Sequence, residues 1–222
     1  MSRRATRSRI PLKPVYRPED VAALGYDEAL GDPGVFPYTR GRRPPDHAAA
    51  AWIQRELSGE GAPSQSNAQL KYLIEKGATG LDVIGDTPTM AYLDPDHPAA
   101  AHAVGTQGVS LCCLDDYREL YHDIPLDGLT VSHSLPPLFG IAGFYLAARE
   151  RGIDPARLRG SIVQPPFYCE DCGYATHMPF PLRLRMTADS IEFASREMPR
   201  FHAFLEDTYY ISDGGLDAVE EM

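Results

Sequence analysis

The chain has 222 residues, enough for the core of one ordinary domain, and its 43% hydrophobic and 23% charged residues are typical of a globular protein. No apolar run approaches the roughly 20 residues of a membrane span, no apolar segment follows the basic N-terminus to form a secretory signal, and four cysteines are too few for a disulfide scaffold. Six of the 21 Lys and Arg residues lie within residues 1–17, so the remainder carries 15 positive against 31 negative charges and is a poor surface for nucleic acid. We therefore expect a cytoplasmic protein that binds neither nucleic acid nor membrane.

The N-terminal part of the chain contains few periodic apolar stretches. Residues 1–45 are rich in proline and basic side chains, which predicts an extended arm rather than a domain. A first helix is predicted over Ala48–Glu60, where alanines precede larger apolar residues, and a second over Ser66–Lys76, with Gly77 as its C-terminal stop.

From Thr79 onward, short apolar strands alternate with amphipathic helices. The predicted strands are Leu81–Ile84, Leu129–Ser132, Gly160–Val163 and Phe201–Leu205. The predicted helices are Leu114–His122, Leu138–Arg151, Thr187–Glu197 and Gly214–Glu221. Strands that alternate with helices in this way indicate βα units and a parallel sheet, so the expected fold class is α/β.

The segments that follow the predicted strands are the candidate functional sites, because parallel sheets place function at the carboxyl ends of their strands. They are Asp86–Met90, His133–Pro137, Gln164–Cys172 and Thr208–Ser212. All four segments are rich in proline, aromatic and polar side chains.

A series of short motifs runs in order from about Gly31 to the C-terminus. They are Pro33–Arg42, Ser66-Asn-Ala, Gly77–Leu81, Asp86-x-Pro-Thr89, Asp94-x-Asp-His-Pro98, Ile124-Pro-Leu126, Asp154–Gly160 and Glu197–Phe201. This series resembles the large, substrate-binding chain of the methylmalonyl-CoA mutase family. The resemblance implies a (β/α)8 barrel threaded by the pantetheine arm of an acyl-CoA, and a separate domain that binds adenosylcobalamin. The implied reaction is a radical 1,2-carbon-skeleton rearrangement, with its reactive chemistry supplied by the cofactor.

The resemblance, taken position by position, also suggests substrate-binding residues. Ser161 and Gln164 fall at or beside positions that contact the substrate in the family, and Arg55 falls in the segment that grips CoA. We add His133, which opens the segment after its predicted strand.

Catalytic and cofactor-facing residues are suggested by the same resemblance. Tyr209 matches a family tyrosine beside the thioester carbonyl, and Tyr210 stands where the family has histidine, so these two are the predicted catalytic residues. Asp86, Thr87 and Thr89 are expected to lie near the cofactor.

Several positions depart from the family pattern. The arginine that pairs with a carboxylated acyl group is replaced by Gly173, and an aromatic residue at the radical site is replaced by Leu57. None of the seven histidines follows an aspartate by two residues, as the histidine that coordinates cobalt does in the family. We therefore expect an unusual acyl thioester, on CoA or on a carrier, and a cofactor domain on another chain.

The pair Cys169-Glu-Asp-Cys172, with His177 five residues on, is a candidate metal site. Two thiolates and an imidazole are three of the four ligands that tetrahedral zinc prefers. Three side chains could complete the site after folding: Cys112, Cys113 and His133. Free or redox-active thiols and unligated buried cysteines are the alternative interpretations.

Length and fold together predict an assembly. A (β/α)8 barrel takes about 250 residues, so the part of the chain after Thr79 has room for about four to five βα units of a partial TIM-type barrel. Half a barrel leaves two unpaired strand edges. We expect a second mutase chain to complete the barrel, a cobalamin-binding subunit to join it, or two copies to close it by symmetry. The predicted domains are the arm, 1–45, and a mutase-like half-barrel, 46–222.

Three hypotheses for function follow from these predictions. The favoured one is a subunit of a split adenosylcobalamin-dependent acyl-CoA or acyl-carrier mutase. The alternatives are a non-catalytic structural subunit of such an enzyme, and a mutase-derived protein that binds metal through Cys169 and Cys172.

Overall fold

The computed structural model describes residues 4–42, 44, 52–163, 178–205 and 212–221. The chain divides into two compact units, one made of Met1–Trp52 with Ser212–Met222 and the other of Ile53–Ile211. In the smaller unit, the guanidinium of Arg7 donates to the carbonyl of Ser212 and pairs with Asp213, which ties the N-terminal segment to the C-terminal one.

The larger unit contains a five-stranded parallel sheet. Its strands are β1 (Leu57–Ser58), β2 (Gly80–Ile84), β3 (Thr130–Ser134), β4 (Arg159–Ile162) and β5 (Phe201–His202). Their spatial order is β1-β2-β3-β4-β5, the same as their order in the chain, and every neighbouring pair is parallel. A barrel has this order, whereas a doubly wound sheet reverses direction at a switch point. The predicted α/β class and partial barrel are confirmed, and the sheet is open, with β1 and β5 as its edges among the described residues.

Seven α-helices are described. They are α1 (Pro18–Val21), α2 (Pro63–Glu75), α3 (Thr87–Met90), α4 (Leu114–Leu120), α5 (Pro137–Glu150), α6 (Phe180–Glu197) and α7 (Ala218–Glu221). Shorter turns of other helix types occur at Tyr26–Leu30, Pro98–Ala100 and Pro155–Arg157. Among the residues described, no helix combines the length and apolar character needed to cross a membrane.

The predicted helix over Ala48–Glu60 is wrong in its described part. Residues 52–56 are irregular and Leu57–Ser58 is β1. The carbonyl of Gln54 accepts hydrogen bonds from the backbone N–H groups of Thr79 and Gly80, each at 3.1 Å, which aligns this segment with β2. Pairing with a distant strand therefore outweighs the local helix propensity.

The predicted helix at Thr187 begins seven residues earlier, since α6 starts at Phe180. The prolines near its start are compatible with a helix, because a residue of the first turn needs no backbone N–H. The other predicted helices of the larger unit, at α2, α4 and α5, are found within a few residues of their expected bounds.

One hydrophobic core fills the space between the sheet and its helices. Alternate residues of the strands belong to it, together with apolar side chains of α2, α4 and α5. The strand members are Leu81, Val83, Val131, Ile162 and Phe201. Because successive side chains of a strand point to opposite faces, the strand residues that alternate with these core members lie on the face away from the helices.

Candidate functional site on the face opposite the helices

A row of five side chains crosses the sheet on the face away from the helices. The strand register pairs Leu57 with Asp82, Asp82 with Ser132, Ser132 with Ser161, and Ser161 with His202. We call these five residues the inner row, because this face lines the interior when such a sheet closes into a barrel. Four of the five are polar, so the row differs from the apolar rows on the helix side.

Small and hydroxyl-bearing residues continue on both sides of the inner row. The flanking positions on the same face include Gly80, Thr130 and Ser134. A packed (β/α)8 barrel fills its interior with bulky branched residues. Here the hydroxyl groups of Thr130 and Ser134 share the face of the inner row with the apolar Ile84 and the charged Arg159.

Ser161, a predicted substrate contact, lies in the middle of the inner row. Its Oγ is 2.8 Å from the Oγ of Ser132 on the neighbouring strand. Each hydroxyl can donate one hydrogen bond and accept others, so the pair retains acceptor capacity toward the interior. The sequence analysis missed Ser132, although it alternates with the buried Val131 and could have been placed on the opposite face.

Asp82 is the charged member of the inner row, and the sequence analysis missed it as well. Its Oδ1 is buried and has no hydrogen-bond partner among the described residues. Burial raises the pKa of this carboxyl group, and the positive charge of Arg55 offsets part of that rise. The sequence offered one signal for Asp82 as a site residue: it is an acidic residue inside the predicted apolar strand Leu81–Ile84.

Arg55, the predicted CoA contact, lies beside β2. A Cβ atom built on Gly80 would be 2.5 Å from Cγ of Arg55, so the arginine stem packs directly on the glycine. The structure therefore brings Arg55, Asp82 and Ser161 to the same part of the molecule.

His133 lies on the opposite side of the sheet from the inner row. It is fully buried, with its ring centroid 4.8 Å from that of Phe144 and 5.9 Å from that of Phe201. The Nδ1 atom is 3.4 Å from the carbonyl of Ser161, so the neutral ring carries its proton there and Nε2 accepts from the Tyr121 hydroxyl at 2.6 Å. Burial lowers the pKa of His133 to about 4. This placement gives His133 a structural role, and it corrects the expectation that the side chain contacts substrate or completes a metal site.

Two of the side chains predicted to face the cofactor accept hydrogen bonds from backbone N–H groups of this protein. The Asp86 carboxylate is fully buried and accepts from the N–H groups of Thr89 at 2.9 Å and Gly105 at 2.7 Å. The Thr89 hydroxyl accepts from the N–H of Leu111 at 3.0 Å. Thr87 is half-buried at the start of α3. Because Asp86 and Thr89 already stabilise their own loop, the described residues here do not fit a site that would hold adenosylcobalamin by itself.

A separate cavity of about 350 Å³ lies near α3, α4 and α5, lined mainly by apolar side chains and by Cys112 and Cys113. Ligand atoms of Cys112, Cys113 and Asp116 lie within 4.8 Å of one another. Burial and the neighbouring Asp116 carboxylate raise the pKa of Cys112 to about 12. These three groups are one fewer than the four ligands of a structural zinc site, so the described residues do not complete such a site here.

Several predicted residues lie outside the described part of the chain. They are Gln164, Cys169, Cys172, His177, Tyr209 and Tyr210. Their roles stay predictions.

Comparison with known proteins gives a consistent result over nearly the whole chain. The model of the methylmalonyl-CoA mutase family matches residues 5–222. A methylmalonyl-CoA mutase of Cereibacter sphaeroides is 32% identical and a methylmalonyl-CoA mutase large subunit of Streptomyces virginiae is 33% identical, each over 96% of this chain. The large subunit of 2-hydroxyisobutanoyl-CoA mutase from Aquincola tertiaricarbonis is 30% identical over 95% of the chain.

These matches cover only part of each relative. The chain spans 30% of the first relative, 29% of the second and 38% of the third.

Proposed function

Since the chain belongs to the methylmalonyl-CoA mutase family, we propose that it forms part of the substrate barrel of an acyl-thioester mutase and that its inner row lies along the pantetheine arm. The family depends on adenosylcobalamin, which supplies the radical chemistry of carbon-skeleton rearrangement when bound. The residues of this chain bind the thioester arm, orient it and exclude water from it.

The small, polar inner face is the observation that carries this proposal. A pantetheine arm contains amide and hydroxyl groups along its length, so a channel that holds it needs both space and hydrogen-bonding partners. Ser132 and Ser161 supply hydroxyl groups in the middle of the sheet, and the stem of Arg55 packs on Gly80 beside them. A barrel that served only as a packed scaffold would carry branched apolar residues at these positions.

We propose that the thioester end of the ligand lies toward the carboxyl ends of the strands, where barrel enzymes have their active sites. In the sequence, Gln164 comes soon after β4, and Tyr209 and Tyr210 come after β5, so these three residues are our candidates for contact with the reacting acyl group. With Gly173 in place of the carboxylate-binding arginine, we propose an acyl group without a second carboxylate.

We further propose that a second chain supplies the remaining barrel strands and the cobalamin domain, or that a second copy of this chain closes the barrel and another chain carries the cobalamin domain. The open edges at β1 and β5 support this, because exposed strand edges pair readily with other strands. Leu57 on β1 is 60% exposed and would be covered by such pairing. Light scattering of the full chain should therefore show a species larger than a monomer, and a stable monomer would contradict this part of the proposal.

Leucine substitutions on the inner face test the proposed channel. In Ser132→Leu and Ser161→Leu, the added side chain fills the space along the axis and removes a hydroxyl, so we expect affinity for butyryl-CoA to fall at least about 10-fold. Isothermal titration of the full chain measures this effect. Leucine suits a barrel interior, and retained far-UV circular dichroism would show that the fold survives.

Ser195→Leu is the matched control for these variants. Ser195 is exposed on α6, on the helix side of the sheet, and its hydroxyl donates to the carbonyl of Glu192 within the same helix. We expect this variant to bind butyryl-CoA as the unmodified chain does. Equal affinity of all three variants and the unmodified chain would contradict the channel.

A further inference from the structure

We infer that Asp82 is a specificity-determining residue of the proposed channel, and that its carboxylate accepts a hydrogen bond from an amide N–H of the ligand arm. The inference deepens the proposed function and rests on it. Under this inference, the preferred ligand is a thioester whose arm has an amide N–H group beside the inner row.

The first argument is the unpartnered oxygen. Oδ1 of Asp82 is shielded from solvent and has no hydrogen-bond donor among the described residues. Proteins rarely leave a buried acceptor in this state, because its lost hydration is not replaced. The Asp82 side chain as a whole is only half-buried, so a donor that arrives with the ligand can reach this carboxylate from the side that faces away from the helices.

The second argument is that the nearby protein donors are engaged elsewhere or too far away. The Ser132 hydroxyl is paired with that of Ser161, at 2.8 Å. Arg55 influences Asp82 through its charge, but no ion pair within 4.0 Å joins them in the described part of the chain.

The remaining charged or titratable groups on this face are more distant from Asp82. Arg159 lies on β4 and His202 on β5, two and three strands away from β2. The Arg159 guanidinium donates to the carbonyl of Gly128. None of these groups replaces a donor from the ligand.

The third argument concerns charge. Asp82 introduces a negative charge into a row of hydroxyl and imidazole groups, so it favours a donor group and repels an anion. Burial raises the pKa of Asp82, so its ionised form, which is the stronger acceptor, is lost at a higher pH than that of an exposed aspartate. Ligand affinity should therefore fall as the pH falls.

The binding experiment uses S-butyryl-pantetheine, which has the amide arm but no phosphate groups to titrate. We expect the unmodified full chain to bind it more tightly at pH 8 than at pH 5. Asp82→Asn removes the charge with little change in shape, so it should bind about 10-fold more weakly at pH 8 and lose the pH dependence. Asp96→Asn, a charge-matched change at an exposed loop residue, should behave as the unmodified chain.

A ligand-free measurement checks the unpartnered oxygen separately. Since the folded-state pKa of Asp82 is raised, the native state binds its proton more tightly than the unfolded state, and stability falls as pH rises through that pKa. Asp82→Asn removes this loss, so its melting temperature at pH 8 should be higher than that of the unmodified chain by about 2–5 °C.

The outcomes separate the inference from the proposed function. Equal binding of the unmodified chain and Asp82→Asn at both pH values, or no gain in melting temperature, overturns the inference and leaves the channel intact. A folded, unmodified chain that does not bind S-butyryl-pantetheine overturns the channel and the inference together.

Discussion

His133→Ala is expected to destabilise the larger unit by about 3–5 kcal/mol. The imidazole is fully buried among the rings of Tyr121, Phe144 and Phe201, so its removal leaves a cavity that rigid aromatic neighbours cannot fill. It also leaves the buried Tyr121 hydroxyl without the acceptor it has at 2.6 Å. Urea denaturation at pH 7 measures the change in unfolding free energy. An exposed histidine, His122, provides the control, and His122→Ala should change stability little.

The same side chain should make the protein sensitive to acid. Burial lowers the folded-state pKa of His133 from 6.5 to about 4, so between these values the unfolded state binds the proton more readily than the native state. Stability is then present above pH 6.5 and is lost progressively as the pH falls toward 4, by about 3 kcal/mol in total. The double variant His133→Phe/Tyr121→Phe removes both the titrating group and its partner, and should lose this part of the acid sensitivity. An unchanged dependence on pH would contradict the buried neutral imidazole.

Gly160→Ala is expected to disrupt the pairing of β3 with β4 and to cost at least about 3 kcal/mol. A Cβ atom on Gly160 would lie 1.8 Å from the carbonyl oxygen of Val131, which is backbone and cannot rotate away. Because the next residue is Ser161, the inner row should be displaced and butyryl-CoA binding should weaken with stability. Thermal unfolding and titration of the same preparation measure both effects.

Gly152→Ala separates a steric clash from a general effect of replacing glycine. Gly152 follows α5 with a φ of +73°, and a Cβ there meets nothing within 4 Å. Only the left-handed backbone should cost stability at this position, by about 1 kcal/mol. Equal losses of stability for the two alanine variants would show that the clash with the Val131 carbonyl is not the cause of the loss at Gly160.

The central part of the fold was predictable because its signals are local. Strand β2 carries Leu81, Val83 and Ile84, and α5 is an apolar helix of normal length, so local patterns place both of them. The regular alternation of strands and helices along the chain then places β3 and β4. In contrast, β1 is only two residues long and exists through pairing with β2, which no local pattern shows.

The candidate site was predictable only in part, because its residues depend on strand register. Ser161 was placed by resemblance, and the structure adds Ser132 and Asp82 from neighbouring strands. His133 was expected to face a ligand because it lies near the end of a strand. A polar residue there can point to either face, and pairing with Val83 and Ile162 places this one on the helix side.

The most direct test of the proposed channel is a two-dimensional NMR titration of the 15N-labelled full chain with S-butyryl-pantetheine. The channel predicts saturable shifts at Asp82, Ser132 and Ser161. It predicts little change at Cys113 and Leu146, which line the separate cavity. Shifts confined to that cavity, with the inner row unchanged, would contradict a ligand channel on this face of the sheet.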